Sequence, residues 1–170
     1  LFYDPDSTFS EFENYNVRVI GSNRNPGGVI DRLLRFGLGS LFKKIELKGF
    51  DALMVSEAGL GSLITFRNSS KSLICYCHTP LRAALPEFKD TYKKEVNLIL
   101  RPLYGLGIKL YNFLEKKAWK KFDTVVANSK LTKKRIVKKD LAENEKISVI
   151  NPGVDLDKFY TGDFENYFFY

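Results

Sequence analysis

The architecture of this chain is most readily inferred from one stretch, Ser72-Leu-Ile-Cys-Tyr-Cys-His78-Thr-Pro-Leu-Arg82. The apolar run Leu73–Cys77 does not alternate cleanly with polar residues, which is typical of a parallel strand covered on both faces. Pro80 ends the strand, because it has no N–H and restricts the preceding residue to extended geometry. The strand thus brings His78, the single histidine of the chain, to its carboxyl end. In open α/β sheets ligands bind at that edge, so His78 and Arg82 mark a candidate site.

Other segments repeat the alternation of strand and helix. Predicted strands are Val17–Ile20, Asp51–Ser56, Asp123–Asn128 and Lys146–Ile150. Predicted helices are Val29–Leu47, Ser62–Phe66, the region Pro86–Lys121, which Arg101-Pro102 divides in two, and Lys130–Asp140. This alternation predicts an α/β fold with a Rossmann-like, doubly wound parallel sheet.

The second half of the long helical region is amphipathic. Its apolar residues recur at intervals of three and four, the period of one helical face. We expect that face to point into the core and the lysines to point outward. The residues expected inside are Leu103, Leu106, Leu110, Phe113, Leu114 and Ala118.

Length and cysteine usage narrow the class of protein. A chain of 170 residues is sufficient for one domain with an apolar core. It contains no apolar run long enough for a transmembrane helix, and its first residues lack the pattern of a signal peptide. Cys75 and Cys77 point to the same face of one strand, so a disulfide between them would be strained. We expect buried free thiols, a cytoplasmic location and no metal site, since Cys77 and His78 offer too few ligands.

The net charge of +7 is concentrated in residues 109–139. That segment has eleven basic residues against two acidic ones, a net +9, which leaves −2 for the rest of the chain. Three interpretations are open: a solvated charged face, docking on anionic lipid headgroups, and binding of nucleic-acid phosphates. No nucleic-acid recognition motif accompanies the lysines, which argues against the third. Aromatic residues interleaved with the lysines would favour a membrane surface; they are Tyr111, Phe113, Trp119 and Phe122.

Three motifs in a fixed order resemble a known family. They are Cys77–Arg82, Val125–Ser129 followed by a basic helix, and Val149–Phe159. Together they resemble the N-terminal domain of retaining GT-B glycosyltransferases of family 4, over about residues 51–159. Members of that family transfer a sugar from a nucleotide-sugar donor to an acceptor. Their first domain ends close to I-P-N-G-V-D-x-x-x-F, and here the sequence is Ile150-Asn-Pro-Gly-Val-Asp155, with Asn and Pro exchanged.

The resemblance implies a hexosyltransferase that needs neither metal nor cofactor and acts on a glycan or a lipid-linked acceptor. Residues 1–159 would form the acceptor-side, Rossmann-like domain, without the first strand and glycine-rich loop of the family. Residues 160–170 would form the crossover and the start of a second, donor-binding domain. By itself the chain, either a fragment or a natural truncation, would then be incomplete and inactive. Membrane acceptors would place the protein in the cytoplasm or on the cytoplasmic membrane face, through the basic segment 109–139.

The resemblance carries over one residue, His78, and Thr79 and Arg82 are candidates because they follow it in the same motif. His78 would be the catalytic histidine, facing the reacting sugar or an acceptor phosphate, where an imidazole can donate a hydrogen bond; the alternative is a histidine satisfied by local backbone. Thr79 would bind substrate through its hydroxyl or close the turn. Arg82 would bind a phosphate or remain a solvated loop residue.

Two further substrate-binding candidates lie at strand ends. Glu57 would orient an acceptor hydroxyl, or cap the turn at residues 59–62. Ser129 would contact the ligand, or cap the helix that follows it. The predicted interdomain hinge, to which Gly153 contributes backbone freedom, consists of Asn151, Gly153 and Asp155.

A second hypothesis requires no catalysis. The chain would be a basic Rossmann-like module that anchors a partner to an anionic membrane or another polyanion. The sequence that follows in the parent reading frame discriminates between the two hypotheses, because a donor-binding domain there would favour the enzyme.

Overall fold

The structure, a computed structural model, describes Gly37, residues 39–57 and residues 59–154. The strands are β1 (Ala52–Glu57), β2 (Ser72–Cys77), β3 (Thr124–Ala127) and β4 (Ile147–Val149). The α-helices are α1 (Gly39–Phe42), α2 (Lys89–Glu95), α3 (Arg101–Trp119) and α4 (Lys130–Lys138). Short 3-10 helices occupy Gly61–Phe66, Arg82–Ala84, Pro86–Phe88, Leu98–Leu100 and Asn144–Lys146.

The four strands form one parallel sheet in the order β1-β2-β3-β4. Its register aligns Glu57, Cys77, Ala127 and Val149 across the sheet, so the strands end level with one another. The predicted Rossmann-like α/β fold is confirmed. Each strand lies beside the preceding one in the chain, so right-handed crossovers place the intervening described helices on one face of the sheet. The second helical layer expected of a doubly wound sheet stays a prediction.

The predicted helix Val29–Leu47 lies largely outside the described residues, as do the strand Val17–Ile20 and the residues from Asp155 onward. Within the described part, the prediction that this helix extends to Leu47 is wrong, since α1 ends at Phe42. Asn68 accounts for the early end. Its side chain accepts a hydrogen bond from Ile45 N at 2.7 Å and donates one to Lys43 O at 2.8 Å, so these backbone groups have partners other than helical ones.

The core lies between the sheet and the helices α3 and α4. Val55, Leu73 and Ile147 from the strands pack in one cluster with Trp119 and Ile136 from the helices. The two cysteines belong to the same cluster and are fully buried free thiols, which confirms that prediction. Burial raises the pKa of both thiols, so they are not reactive nucleophiles in the folded state.

Helix α3 is longer than the sheet on which it packs. Its 19 residues span about 28 Å, whereas the six residues of β1 span about 20 Å. The carboxyl end of α3 is fixed at the amino edge of the sheet, because Phe122 is buried and the Asp123 carboxylate accepts a hydrogen bond from Leu73 N at 2.8 Å. The excess length therefore projects past the opposite edge, where the described strands do not reach.

The predicted inward face of α3 is largely wrong. Ala118 is fully buried and Leu114 packs against the core, as expected. The residues of α3 that are buried all lie in its second half; they are Tyr111, Glu115, Ala118 and Trp119. The residues predicted inside but found more than half exposed are Leu103, Leu106, Leu110 and Phe113. They lie on the opposite side of the helix, since each residue advances about 100° around its axis.

Candidate functional site at the carboxyl edge of the sheet

His78 follows β2 directly and is exposed at the carboxyl edge of the sheet. Its Nε2 lies 2.9 Å from Ser56 Oγ, near the end of the adjacent strand β1. The Tyr76 ring meets the imidazole edge to face, with the two centroids 5.1 Å apart. These two contacts hold the ring over the strand ends and leave Nδ1 without a hydrogen-bond partner among the described residues. The imidazole can therefore offer one nitrogen to a ligand.

The backbone of His78 is fixed from two directions. Its N–H donates to Glu57 O at 2.8 Å, which continues the β1–β2 ladder beyond the last strand residue. Its carbonyl accepts from the Thr132 hydroxyl at 3.0 Å. Because Thr132 lies in the first turn of α4, this bond ties the end of β2 to the helix that follows β3. The position of the imidazole is thus set by elements distant in sequence.

Ser129 caps α4. Its Oγ accepts a hydrogen bond from Thr132 N at 3.2 Å, and its backbone is extended, as expected of an N-cap residue. The predicted capping role of Ser129 is confirmed, and a role in binding substrate stays a prediction.

Asn151, a predicted hinge residue, joins the same edge. Its side-chain amide donates to Asn128 O at 3.0 Å. The last backbone hydrogen bond that follows β4 runs from Ile150 N to Ala127 O at 3.0 Å. Gly153 lies three residues after Ile150 and is exposed. Asp155 lies outside the described residues. The hinge role of this segment stays a prediction.

Thr79 and Arg82 lie next to His78 but differ in their contacts. The Thr79 hydroxyl is 3.2 Å from Pro80 O, a contact that closes the local turn. Arg82 begins the 3-10 helix Arg82–Ala84 and is exposed. No hydrogen bond or ion pair joins its guanidinium to another residue in the described part of the chain. Of the two, Arg82 has the group more readily available to an anionic ligand.

Glu57 does not lie on the rim of the site. Its side chain is fully buried on the helix-covered face of the sheet, so the expectation that it opens toward substrate is not met. Its Oε1 accepts from Gly59 N at 2.7 Å and its Oε2 accepts from Ser62 N, which confirms the alternative, capping role. Gly61 permits this close approach, because a Cβ there would lie 2.9 Å from Glu57 Oε2.

Glu57 belongs to a buried polar cluster beneath the site. The Tyr111 hydroxyl lies 2.5 Å from Gly59 O and 2.8 Å from Glu115 Oε1, and Lys139 Nζ pairs with Glu115 Oε2. Burial raises the pKa of Glu57 to about 8, opposed by its bond from Gly59 and reinforced by Glu115. Burial also raises the pKa of Glu115, while Lys139 opposes that shift. The cluster joins the loop after β1 to α3 and α4.

Some of the basic side chains of the segment 109–139 already have partners within the domain. Five of its eleven basic side chains hydrogen-bond to described residues: Lys116, Arg135 and Lys139 to carboxylates, and Lys121 and Lys133 to backbone carbonyls. Of these three carboxylates, that of Glu115, the partner of Lys139, is fully buried. The exposed lysines that have neither a hydrogen bond nor an ion pair in the described part of the chain are Lys109, Lys117, Lys120, Lys130, Lys134 and Lys138. The positive face expected from composition is therefore real but smaller than the residue count suggests.

Three residues that build this site were not among the candidates predicted from the sequence. Ser56, Asn128 and Thr132 all contact the ends of β2 or β3. Asn128 lies in the Val125–Ser129 motif but was given no role, and Ser56 and Thr132 belong to no motif. Ser56 could have been found by aligning the predicted strand ends, because parallel strands of similar length finish at one edge. Thr132 had no such signal, since its partner is a carbonyl 54 residues away.

Among residues 39–57 and 59–154 no group of three or more His, Cys, Asp or Glu side chains has the arrangement of a metal site. None of the described helices combines the length and the apolar composition needed to cross a bilayer. The edge of the sheet is instead a polar surface formed by an imidazole, a hydroxyl, side-chain amides and a guanidinium.

The parallel sheet with its crossover helices defines the class as a Rossmann-like α/β domain. A family model described as Glycosyltransferase Family 4 matches residues 1–158. The chain therefore belongs to that glycosyltransferase family. No curated protein and no solved structure matches it.

Proposed function

We propose that this chain is the acceptor-side domain of a retaining GT-B hexosyltransferase that uses a nucleotide-sugar donor. The acceptor and the reacting sugar would bind at the carboxyl edge of the sheet, opposite a second domain that holds most of the donor. Transfer would need neither a metal ion nor a cofactor. Family membership supports the reaction class, and the finer assignments are inferences from the edge itself.

The observation that carries the proposal is the fixed geometry of His78. Ser56 holds Nε2 and Thr132 holds the His78 carbonyl, so Nδ1 is presented at the strand ends in one orientation. A preorganised hydrogen-bond donor there would stabilise negative charge on a phosphate or a departing group. Arg82 follows four residues later and adds a positive charge that has no partner among the described residues. Both groups suit an anionic or polyhydroxylated ligand.

Thr79 and Ser129 are secondary candidates for contact with substrate. Their hydroxyls already bond to local groups, but a hydroxyl can both donate and accept. Asn151 and Gly153 would form part of the hinge on which the second domain closes. Opening at that point would break the bond from Asn151 to Asn128 O and leave the sheet intact.

The reaction class is tested with a panel of UDP- and GDP-hexoses, by measuring both donor hydrolysis and transfer. Two proteins are compared: this chain alone, and the protein that joins this domain to a donor-binding domain. Activity confined to the longer protein supports the proposal. Absence of activity from both, together with salt-sensitive binding of the chain to anionic vesicles, supports the anchoring module instead.

The anchoring module remains a second candidate because of the charge on α4. A groove of about 430 Å³ along this helix is lined by Lys130, Lys133, Lys134 and Lys138, with Val137 and Asn144. Such a groove would attract a polyanion or lipid headgroups. The same basic surface is consistent with an enzyme in the cytoplasm that docks peripherally on the cytoplasmic membrane face to reach a lipid-linked acceptor.

A further inference from the structure

Helix α3 has two apolar faces, of which only one is used by the core. The second face consists of Leu103, Leu106, Leu110 and Phe113, which are between 55 % and 66 % exposed; we call it the leucine stripe. Its members are spaced three, four and three residues apart, so they form a continuous row along the helix. Ile99, at 85 % exposure, continues the row by one turn toward the amino end. An exposed apolar row of this length marks an interaction surface.

The location of the stripe explains why the core does not cover it. Tyr111, the first buried residue of α3, bonds to Gly59 O just past the end of β1. Residues 101–110 therefore extend by about 15 Å beyond this point. The stripe begins on that overhang and faces away from the sheet. It is thus presented at the same edge of the domain as His78.

The exposed charged side chains that α3 itself places beside the stripe are positive, while Glu95 of α2 lies near Tyr104 at the amino end of α3. Glu115 is the single acidic residue of α3, and it is fully buried and paired with Lys139. Lys109 and Lys120 lie along one side of the stripe, while Lys117 lies at its end with its Nζ 4.3 Å from the centroid of the Phe113 ring. An apolar row bordered by lysines is the pattern of a helix that lies in a membrane interface.

We propose that the leucine stripe inserts into the interfacial layer of a bilayer that contains anionic lipids, with the bordering lysines at the headgroups. Charge complementarity selects this occupant. A second copy of the chain seated on the same stripe would bring lysines against lysines, which is unfavourable. The proposal deepens the peripheral membrane location proposed above by naming the surface that binds, and it does not depend on the transfer reaction.

Vesicle co-sedimentation of the full chain tests the surface. The probes are vesicles of phosphatidylcholine alone and of an equimolar mixture of phosphatidylcholine and phosphatidylglycerol. We expect the wild-type chain to bind the mixed vesicles only. The double variant Leu106→Ser/Leu110→Ser should bind them about tenfold more weakly. Lys117→Gln should weaken binding about fivefold. Leu131→Ser is the matched control, because Leu131 is a leucine of α4 with 56 % exposure that lies outside the stripe.

Insertion is distinguished from simple surface contact by a fluorescent label. Leu106→Cys can carry an environment-sensitive fluorophore, because the native Cys75 and Cys77 are fully buried. Addition of mixed vesicles should shift the emission of this label to shorter wavelength and leave the label at Leu131→Cys unchanged. The fluorescence of Trp119, the single tryptophan and a core residue, reports whether each variant remains folded.

Two outcomes would overturn the proposal. Equal vesicle binding by the double leucine variant and by the Leu131→Ser control would mean that the lysines act alone. A concentration-dependent dimer that is lost in the double variant, without vesicle binding, would mean that the stripe is an interface between copies of the chain. Sugar transfer to a soluble acceptor tests the proposed function without a membrane. A negative result for the membrane surface therefore leaves the transferase function testable, and a negative result for transfer leaves vesicle binding testable.

Discussion

The buried ion pair between Lys139 and Glu115 provides the sharpest test of the packing described above. Lys139→Met keeps most of the side-chain volume but removes the cation. Glu115 would then be a fully buried carboxylate whose remaining partner is the Tyr111 hydroxyl. Breaking a buried pair on one side typically costs about 3–5 kcal/mol. The expected effect is a large loss of stability that reports directly on the cluster beneath the site.

Protonation of Glu115 limits how much free energy of unfolding Lys139→Met can lose. Glu115 can become neutral instead of remaining charged, and protonating a carboxyl of ordinary pKa 4.5 at neutral pH costs about 3 kcal/mol. We therefore expect Lys139→Met to lower the free energy of unfolding by up to about 3 kcal/mol at neutral pH. The difference from wild type should shrink as the pH falls toward 4.5, because the cost of protonation falls with it.

Urea unfolding monitored by Trp119 fluorescence measures the effect. Lys116→Met is the matched control, since Lys116 is on α3 and pairs with Asp140 at 2.8 Å on the exposed surface. Exposed ion pairs contribute little, so the control should lose only a small fraction of what Lys139→Met loses. The double variant Glu115→Leu/Lys139→Met should recover much of the loss. Equal losses for Lys139→Met and Lys116→Met would refute the reasoning.

Two further predictions concern residues at the strand ends. The raised pKa of Glu57, about 8 in the folded state against 4.5 unfolded, means that the folded state retains a proton that the unfolded state loses. As the pH rises from 4.5 to about 8, the free energy of unfolding of the wild type should therefore decrease relative to that of Glu57→Gln. If urea unfolding gives the same pH dependence for both proteins across that range, the assignment is contradicted. Ser129→Ala should lower the free energy of unfolding by about 1 kcal/mol through loss of the α4 cap, and Ser129→Gly by less; thermal unfolding that ranks the two the other way would argue against the cap.

The sheet could be predicted from the sequence because its signals are local. The strands β1 and β2 end within one residue of their predicted limits, since each is an apolar run closed by a polar or proline-containing turn. The N-cap at Ser129 and the division of the helical region near Arg101-Pro102 also follow from single residues acting on adjacent backbone. These features need no knowledge of distant contacts.

The inward face of α3 could not be predicted because two apolar rows have the same helical period. The row of leucines is more apolar than the buried row, which includes Tyr111 and Glu115. The buried row is selected by partners far away in sequence: Gly59 for Tyr111 and Lys139 for Glu115. Periodicity locates the faces of a helix, but it does not reveal which face has a neighbour.

The candidate site was predictable only in part, for the same reason. His78 and Arg82 follow from the strand end and the motif, both of which are continuous in sequence. Ser56 contacts the imidazole from a strand 22 residues earlier, so only strand alignment reveals it. The burial of Glu57 follows from the alternation of side chains along β1, which places it on the face opposite Ser56 and toward the helices.

The most direct test of the proposed substrate edge is the turnover of His78→Ala in the protein that joins this domain to a donor-binding domain. Lys71→Ala is the control, because Lys71 is exposed at the opposite edge, just before β2. We predict that His78→Ala lowers turnover by about tenfold to a hundredfold, as expected for the loss of one charge-assisted hydrogen bond. Its melting temperature should match that of the control. Turnover equal to that of Lys71→Ala, or a loss matched by an equal fall in stability, would contradict a substrate site at His78.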